Sequence, residues 1–220
     1  GAANIRRSVR GLAAAGAAAV TIEDQRFPKR CTYAAGAGVR VVSIEQSLER
    51  IRAAVGARDA AMDVDGNEVL IVARTDCRAA LGLEEAIERC VAYEEAGADV
   101  VYAENLQTKE EYLKIRESLR PLTPMMLAQV QQAPSDSQSN LYTVEEVGNM
   151  GYSLALFGVS ALQATVQALQ STAASFLSSE TGGGVLGGEP AKCLAPFSEL
   201  KEVVGFPELE KLEAKYQVDA

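Results

Sequence analysis

The sequence predicts an α/β fold, namely a (β/α)8 TIM barrel that here lacks roughly its first three βα units. Short apolar runs alternate with segments of helical period, which is typical of a parallel sheet covered by helices. Five strands are visible, whereas a closed barrel requires eight. The sequence has no initiator Met, and the stretch "NIRRSVRGLAAAG" close to its start looks like the first turn of a helix. We therefore expect the natural protein to extend upstream of Gly1. A five-stranded, doubly wound open sheet is the alternative.

The predicted strands are apolar runs of similar design, at residues 18–23, 69–74, 99–103, 124–129 and 153–157. Near-continuous apolar sequence is expected of parallel strands that are buried on both faces. Two segments, "AAAGAAAVTIEDQ" and "YEEAGADVVYAEN", share one plan: a helix end, a glycine suited to a left-handed cap, an apolar strand and an acidic residue. This repetition indicates consecutive βα units.

Helices are predicted between the strands, because apolar residues recur there at helical spacing. Capping-box sequences begin three of them, at Ser43, Thr108 and Thr143. A Gly-rich stretch follows the last barrel helix, and "FSELKEVVGFPELEKLEAKYQ" then predicts two short helices. We therefore divide the chain into a partial barrel at 1–177 and, at 178–220, a Gly-rich connector with a C-terminal helical segment.

The composition argues against several function classes. A net charge of −9 argues against a nucleic-acid partner, and no apolar run is long enough to predict a membrane span. The chain contains no histidine, which rules out Ser-His-Asp and Cys-His triads and imidazole metal sites. Its cysteines form no Cys-x-x-Cys pair, which fits a reducing compartment, either the cytoplasm or an organelle such as a plastid.

Polar residues follow four of the predicted strands, and in βα folds the carboxyl ends of strands form the ligand site. Arg74 is the best candidate, because a guanidinium binds a carboxylate through two parallel hydrogen bonds. The alternative for Arg74 is a structural ion pair with a neighbouring acid. Glu23 is either a ligand of a hard cation or a partner of Arg74. The strand-end groups are Glu23-Asp24-Gln25, Arg74-Thr75-Asp76, Glu104-Asn105 and Gln129, and we expect them to converge on one cavity.

The loop after the first strand, "IEDQRFPKRCTYAAGAGVRVVS", is unusually long and cationic. Loops of this length tend to be lids or binding loops. Its cations stand on a chain of net negative charge and predict a small anionic ligand, although solvated surface cations give the same pattern. Cys31 lies beside two of these cations, whose charge favours the reactive thiolate. The cations are Arg26, Lys29, Arg30 and Arg40.

Three motifs together, "IEDQRFPKRC", "VARTD" and "YEEAGADVVYAE", resemble the phosphoenolpyruvate mutase/isocitrate lyase superfamily. The similar branch comprises 2-methylisocitrate lyase, oxaloacetate hydrolase, petal death protein and carboxyphosphonoenolpyruvate phosphonomutase-like members. The resemblance implies a (β/α)8 barrel whose last helix swaps between the subunits of a dimer, usually within a tetramer. It also implies Mg²⁺ and a small 2-oxo or 2-hydroxy dicarboxylate, whose C–C or P–C bond is formed or cleaved through an enolate-like intermediate.

The resemblance further implies roles for individual residues. Lys29 and Cys31 would be catalytic loop residues, with Cys31 the general acid to the departing enolate. Glu23 would belong to the metal shell. Arg74 would clamp a substrate carboxylate, and Glu104 would form a polar wall, so both count as catalytic and as substrate-binding. The remaining substrate-binding candidates are Arg30, Tyr33 and Gln129.

Three departures from the family's pattern bear on activity. The Asp-x-Asp-Thr-Gly-x-Gly segment that supplies the principal Mg²⁺ ligands is expected just before Gly1, so we expect this chain alone to be inactive. Thr32-Tyr33 stands where the lyases have Gly-His, and Gln129 stands where an Asn is expected. The predicted function is a Mg²⁺-dependent lyase or hydrolase that cleaves a C–C bond, in a homo-oligomer when full length. The alternatives are a non-catalytic homologue that serves as a binding or assembly module, and P–C bond chemistry.

Overall fold

The computed structural model describes residues 1–32, 38–66, 68–131, 141–178 and 183–216. These residues form two compact units, Gly1–Gly158 and Val159–Ala220. The strand-end residues that the sequence singles out belong to the first unit.

A five-stranded parallel sheet organises the first unit, and its strands lie side by side in the order in which they occur along the chain. A doubly wound sheet reverses its strand order at a switch point, whereas this order runs in one direction, as in the wall of a barrel. The sheet therefore forms a half-barrel, and the doubly wound alternative is wrong. The strands are β1 Ala19–Glu23, β2 Leu70–Thr75, β3 Val100–Ala103, β4 Met125–Ala128 and β5 Leu154–Leu156.

The helices of the first unit are α1 Ala2–Ala14, α2 Ile44–Asp65, α3 Cys77–Leu81, α4 Leu83–Glu95, α5 Lys109–Ser118 and α6 Val144–Asn149. Helix α1 packs on α2, α3 packs on α4, and α4 packs on α5. Helix α2 also lies against β1 and β2, and α4 lies against β2 and β3. The three predicted caps form, because the hydroxyls of Ser43, Thr108 and Thr143 each accept a backbone N–H. A full capping box is present at Thr143, whose N–H is bound by Glu146. The short helix α3 was not predicted.

The two faces of the sheet carry different side chains, as the alternation of a strand requires. Ile71 and Ala73 of β2 pack in the cores formed with α1, α2 and α4, and we call this side the helix face. Val72 packs with Val100 and Tyr102 on the other side, which we call the inner face. Because Glu23 pairs with Arg74, and Arg74 with Tyr102, these three residues form one row on the inner face.

The second unit consists, in its described part, of four helices: α7 Ser160–Leu177, α8 Gly188–Lys192, α9 Phe197–Val203 and α10 Phe206–Tyr216. Helix α7 packs on α8, and α9 packs on α10. The two helices predicted after the Gly-rich connector are α9 and α10, and α8 lies within the connector. The domain boundary that we place at 177/178 stays a prediction. Within the described ranges, the helices fall short of the length and apolar character that a membrane crossing requires.

Candidate functional site

Arg74 is the centre of a charged cluster at the carboxyl ends of β1, β2 and β3. Its Nε and Nη2 donate to the two carboxylate oxygens of Asp76, at 3.1 and 2.7 Å. Its Nη1 lies 3.0 Å from Oε2 of Glu104, and its Nε lies 3.7 Å from Oε2 of Glu23. The structure therefore brings together three of the four strand ends that the sequence predicts to converge. We call Glu23, Arg74, Asp76 and Glu104 the rim cluster.

Burial sets the electrostatics of the rim cluster. It disfavours the charged form of Arg74, but the hydrogen bonds of Asp76 and the charges of Glu104 and Asp76 outweigh this cost and raise the pKa of Arg74. Burial also raises the pKa of Asp76, although Arg74 partly offsets the effect. The guanidinium therefore stays charged, and the Asp76 carboxyl holds its proton to a higher pH than an exposed aspartate does.

Tyr102 is a member of the site that our list of candidates missed. Its hydroxyl donates a hydrogen bond to Oε2 of Glu104, and its ring lies 5.3 Å from Cζ of Arg74, within the range of a cation–π contact. The side chains of Tyr102 and Glu104 are both buried. The signal was present in the sequence, because residues 102 and 104 alternate on one face of a strand as residues 72 and 74 do.

The base of the long loop is held by backbone and side-chain hydrogen bonds. Gln25 forms an antiparallel bridge with Val41, and the N–H of Arg26 donates to the carbonyl of Arg40 at 2.8 Å. The buried Gln25 amide donates to the carbonyl of Arg30 at 3.0 Å and accepts from its N–H at 2.8 Å. The base of the loop is therefore fixed. The backbone of Arg30, the residue before Cys31, is anchored by Gln25.

The loop also reaches the rim cluster through a side chain, because Nζ of Lys29 lies 2.9 Å from Oε1 of Glu23. Cys31 is exposed, as a residue that meets a ligand from solvent would be. Arg30 is likewise exposed. Tyr33, predicted to bind substrate, lies outside the described residues.

Gln129 is not part of the rim cluster. Its buried amide donates to the carbonyl of Tyr142 at 2.9 Å and accepts from the N–H of the same residue at 2.6 Å. Residue 129 follows Met125 and Leu127 of β4, which pack on the helix face. In this structure Gln129 therefore joins the two ends of the segment that follows β4, and its role in substrate binding stays a prediction.

The rim cluster by itself does not fit a complete Mg²⁺ site. Among the described residues, no three His, Cys, Asp or Glu side chains are grouped so as to hold a metal ion. Oε1 of Glu23 accepts no hydrogen bond, but it already forms an ion pair with the Lys29 ammonium at 2.9 Å, which a metal ion at this oxygen would have to displace. A single carboxylate oxygen falls short of the octahedral shell that Mg²⁺ demands.

The fold and the rim cluster define the class: a parallel (β/α)-barrel-type protein with an arginine and carboxylates at its strand ends. Comparison with known proteins gives the particular family. The model of the phosphoenolpyruvate phosphomutase family matches residues 1–177, so the chain belongs to this family. The family resemblance read from the three sequence motifs is thereby confirmed.

Individual relatives support the same placement. The chain is 34 % identical over 212 residues to the 2-methylisocitrate lyase of Aeropyrum pernix, covering 96 % of this chain and 62 % of that protein. It is 32 % identical over 214 residues to the petal death protein of Dianthus caryophyllus, covering 97 % and 61 %. The solved structure of an oxaloacetate acetylhydrolase with the inhibitor 3,3-difluorooxalacetate superposes with a TM-score of 0.84 at 30 % identity, covering 100 % of this chain and 68 % of that one. The chain thus spans less than two thirds of the length of the two relatives.

Proposed function

We propose that the full-length protein is a Mg²⁺-dependent lyase or hydrolase that cleaves a C–C bond of a small 2-oxo or 2-hydroxy dicarboxylate through an enolate. The observation that carries this proposal is the Arg74 guanidinium at the carboxyl ends of the strands, with Glu23, Glu104 and the loop residue Lys29 beside it. The names of the relatives, which include lyases and an oxaloacetate acetylhydrolase, support the same chemistry.

Arg74 binds a carboxylate of the substrate in this proposal. A guanidinium has five N–H donors, and Asp76 and Glu104 take up three of them. The side chain is 20 % exposed, so a ligand can reach it from the inner face. Fork-shaped recognition of a carboxylate also fixes the orientation of the ligand, which a point charge does not.

The loop supplies the proton in this proposal. The hydroxyl of a 2-hydroxy acid loses its proton to solvent and becomes a carbonyl as the C–C bond breaks. The electron pair of that bond passes to the departing fragment as an enolate, and the Cys31 thiol donates its proton to that fragment. Lys29 adds positive charge near the developing negative charge. The anchored backbone of Arg30 restricts where Cys31 can lie, which favours a loop that closes in one position.

The balance of charge supports the proposal of a divalent cation. The rim cluster and Lys29 contain two cations against three carboxylates, so they repel a dianionic substrate when all are ionised. Mg²⁺ when bound supplies the missing positive charge and polarises the substrate oxygen. Since the described residues offer it one oxygen of Glu23, we propose that its other protein ligands lie outside this chain.

The function is tested by turnover of the full-length protein with Mg²⁺ on a panel that includes 2-methylisocitrate and oxaloacetate. Cys31→Ala is expected to lower kcat by about 100-fold or more, because general acid catalysis contributes at least that much. Cys193→Ala, which removes the other exposed thiol, is the matched control and should retain activity. No turnover of any member of the panel would overturn the lyase proposal.

A second candidate is a non-catalytic homologue that binds or assembles with other subunits. It is favoured by the contacts of Arg74 with Asp76 and Glu104, because a structural ion pair has the same geometry. Cys31→Ala separates the two, because an assembly module keeps its oligomeric state and has no turnover to lose. P–C bond chemistry is distinguished by turnover of phosphonopyruvate that tolerates the same variant.

We also propose that additional βα units complete the barrel and that the full-length protein is a homo-oligomer with swapped C-terminal helices. The half-barrel of five strands supports the first statement, because an incomplete wall leaves inner-face residues without the opposite wall. Light scattering on the full-length protein tests the second: a dimer or tetramer is expected, and a monomer at micromolar concentration would exclude it.

A further inference from the structure

Asp76 occupies an unusual position for a residue that binds Arg74. It is the N-cap of α3, where an aspartate ordinarily accepts N–H groups of the first helical turn. Its side chain makes no capping hydrogen bond, and both of its oxygens accept from Arg74 instead. A helix start without its cap is a local cost, and such departures concentrate at functional sites.

Two neighbours satisfy the backbone in place of Asp76. The hydroxyl of Thr75 accepts the N–H of Cys77 at 3.1 Å, and Oδ1 of Asp24 accepts the N–H of Asp76 at 2.9 Å. The Thr75 hydroxyl in turn donates to Oδ2 of Asp24 at 2.6 Å. Asp24 thus fixes the last residue of β2 and Asp76 directly, and it fixes Cys77 through the Thr75 hydroxyl.

Asp24 is itself held from α4. Arg89 donates to its Oδ2 at 3.1 Å, and the Tyr93 hydroxyl donates to the same oxygen at 3.0 Å. Asp24 is 1 % exposed and Arg89 is 2 % exposed, so the charge pair is removed from solvent. Asp24 lies on the helix face, since it follows Glu23 by one residue, and a ligand of Arg74 on the inner face does not meet it.

We propose that Asp24, acting with the Thr75 hydroxyl, is a positioning residue that frees the Asp76 carboxylate from capping α3 and aims it at Arg74. The role rests on the proposed function insofar as Arg74 binds substrate. Its physical reason is precision: a binding group displaced by about 1 Å can lower a rate by about 100-fold. Arg74 depends on Asp76, and Asp76 depends on a turn that Asp24 holds.

The chain offers matched variants for the test. Asp24→Asn keeps the shape of the side chain and removes its charge, and Thr75→Val removes the hydroxyl, whereas Thr75→Ser retains it. Asp99→Asn is the control for lost stability, because Asp99 makes contacts of the same kind as Asp24. Its Oδ2 accepts the backbone N–H of Ile71 in β2 at 2.7 Å and a hydrogen bond from Arg58 at 2.6 Å. Asp99 precedes β3 and lies beside the amino end of β2, whereas Arg74 lies at the carboxyl end of β2.

The NMR resonance of the Arg74 Nε–H group in the full-length protein reports on the surroundings of the guanidinium. The effect on binding is measured by calorimetric affinity for oxalate, and the effect on catalysis by kcat/KM. Asp24→Asn and Thr75→Val should shift or broaden the Arg74 resonance and weaken oxalate binding and kcat/KM about 10- to 100-fold. Thr75→Ser and Asp99→Asn should stay within about threefold of the unaltered protein.

The outcomes separate this proposal from the proposed function. If the Arg74 resonance and oxalate affinity respond to Asp24→Asn no more than to Asp99→Asn, the positioning role is wrong. Loss of both in Thr75→Ser as well as Thr75→Val contradicts a role for the hydroxyl. If the unaltered protein neither binds oxalate nor turns over any dicarboxylate while the Arg74 resonance responds to Asp24, the proposed function fails and the positioning stands.

Discussion

At the scale of single residues, Arg74 shows that the contacts of an ion pair can also orient a group for binding. The same contacts that raise its pKa, from Asp76 and Glu104, also hold the guanidinium in one orientation. Asp76 and Glu104 are themselves buried, and a buried carboxylate that loses its cationic partner is strongly destabilising. The two interpretations of Arg74 that the sequence offers, a structural ion pair and a group that binds substrate, are therefore compatible.

The four cysteines give a residue-scale prediction. Cys31 and Cys193 are exposed, whereas Cys77 and Cys90 are buried. Burial raises the pKa of Cys77 to about 11 and also raises the pKa of Cys90, so both remain thiols at neutral pH. A thiol reagent at pH 7.5 should label two cysteines rapidly and the other two only after unfolding.

The control for this labelling is Cys31→Ser, which should leave one rapid site. Mass spectrometry of the labelled peptides identifies each position. Rapid labelling of Cys77 or Cys90 in the folded protein would show that the packing around α3 or α4 is looser than described.

At the scale of elements, the alternation of a strand decides which polar residues meet. Glu23, Arg74 and Glu104 share the inner face, whereas Asp24, Thr75 and Gln129 lie toward the helix face, although all six lie at or just beyond the carboxyl ends of strands. The sequence predicted the strands, the converging ends and the pairing of Arg74 with acids. It did not predict the sorting by face, because a shift of one residue in the assumed strand register moves every side chain to the other face.

The contact between α3 and α5 gives an element-scale prediction about pH. Arg78 binds both oxygens of Glu111, at 3.0 and 2.7 Å, and this pairing lowers the pKa of Glu111. A carboxylate with a lowered pKa stabilises the fold above its unfolded-state pKa and loses that contribution as the pH falls through its folded-state value. Glu111→Gln should therefore lower the free energy of unfolding by roughly 0.5–1 kcal/mol at pH 6, after allowance for solvent screening.

The difference between Glu111→Gln and the unaltered protein should shrink as the pH falls from 6 to 3, and urea unfolding at several pH values measures it. Glu117→Gln, on the exposed side of α5, is the matched control and should show little difference at any pH. A difference for Glu111→Gln that stays constant with pH would show that the charge of Glu111 does not matter.

At the scale of the whole molecule, the half-barrel explains why the site looks incomplete. The rim cluster supplies carboxylates and an arginine, but one oxygen of Glu23 does not make a Mg²⁺ site. The family resemblance predicts that metal aspartates precede Gly1, and this stays a prediction. No described residue fixes where a further ligand would lie, which is why sequence reasoning on these residues stops there.

The metal gives a prediction at the same scale. The full-length protein should bind Mg²⁺ at least tenfold more tightly than residues 1–220 alone, and EDTA should abolish its turnover reversibly. Calorimetry of the two proteins with Mg²⁺ measures the first, and activity after dialysis measures the second. Equal affinity in both would place the metal ligands within the present chain, against our proposal.

The most direct test of the central claim is kcat/KM of the full-length protein carrying Arg74→Lys, compared with Arg78→Lys. Both arginines form two-point pairs with a carboxylate at similar exposure, 20 % and 26 %. If Arg74 holds the carboxylate of the substrate, Arg74→Lys lowers kcat/KM for the preferred dicarboxylate by about 100-fold or more, because lysine cannot form the fork, while Arg78→Lys stays within about threefold. Equal small effects of the two substitutions would show that Arg74 is a structural ion pair and would contradict the account.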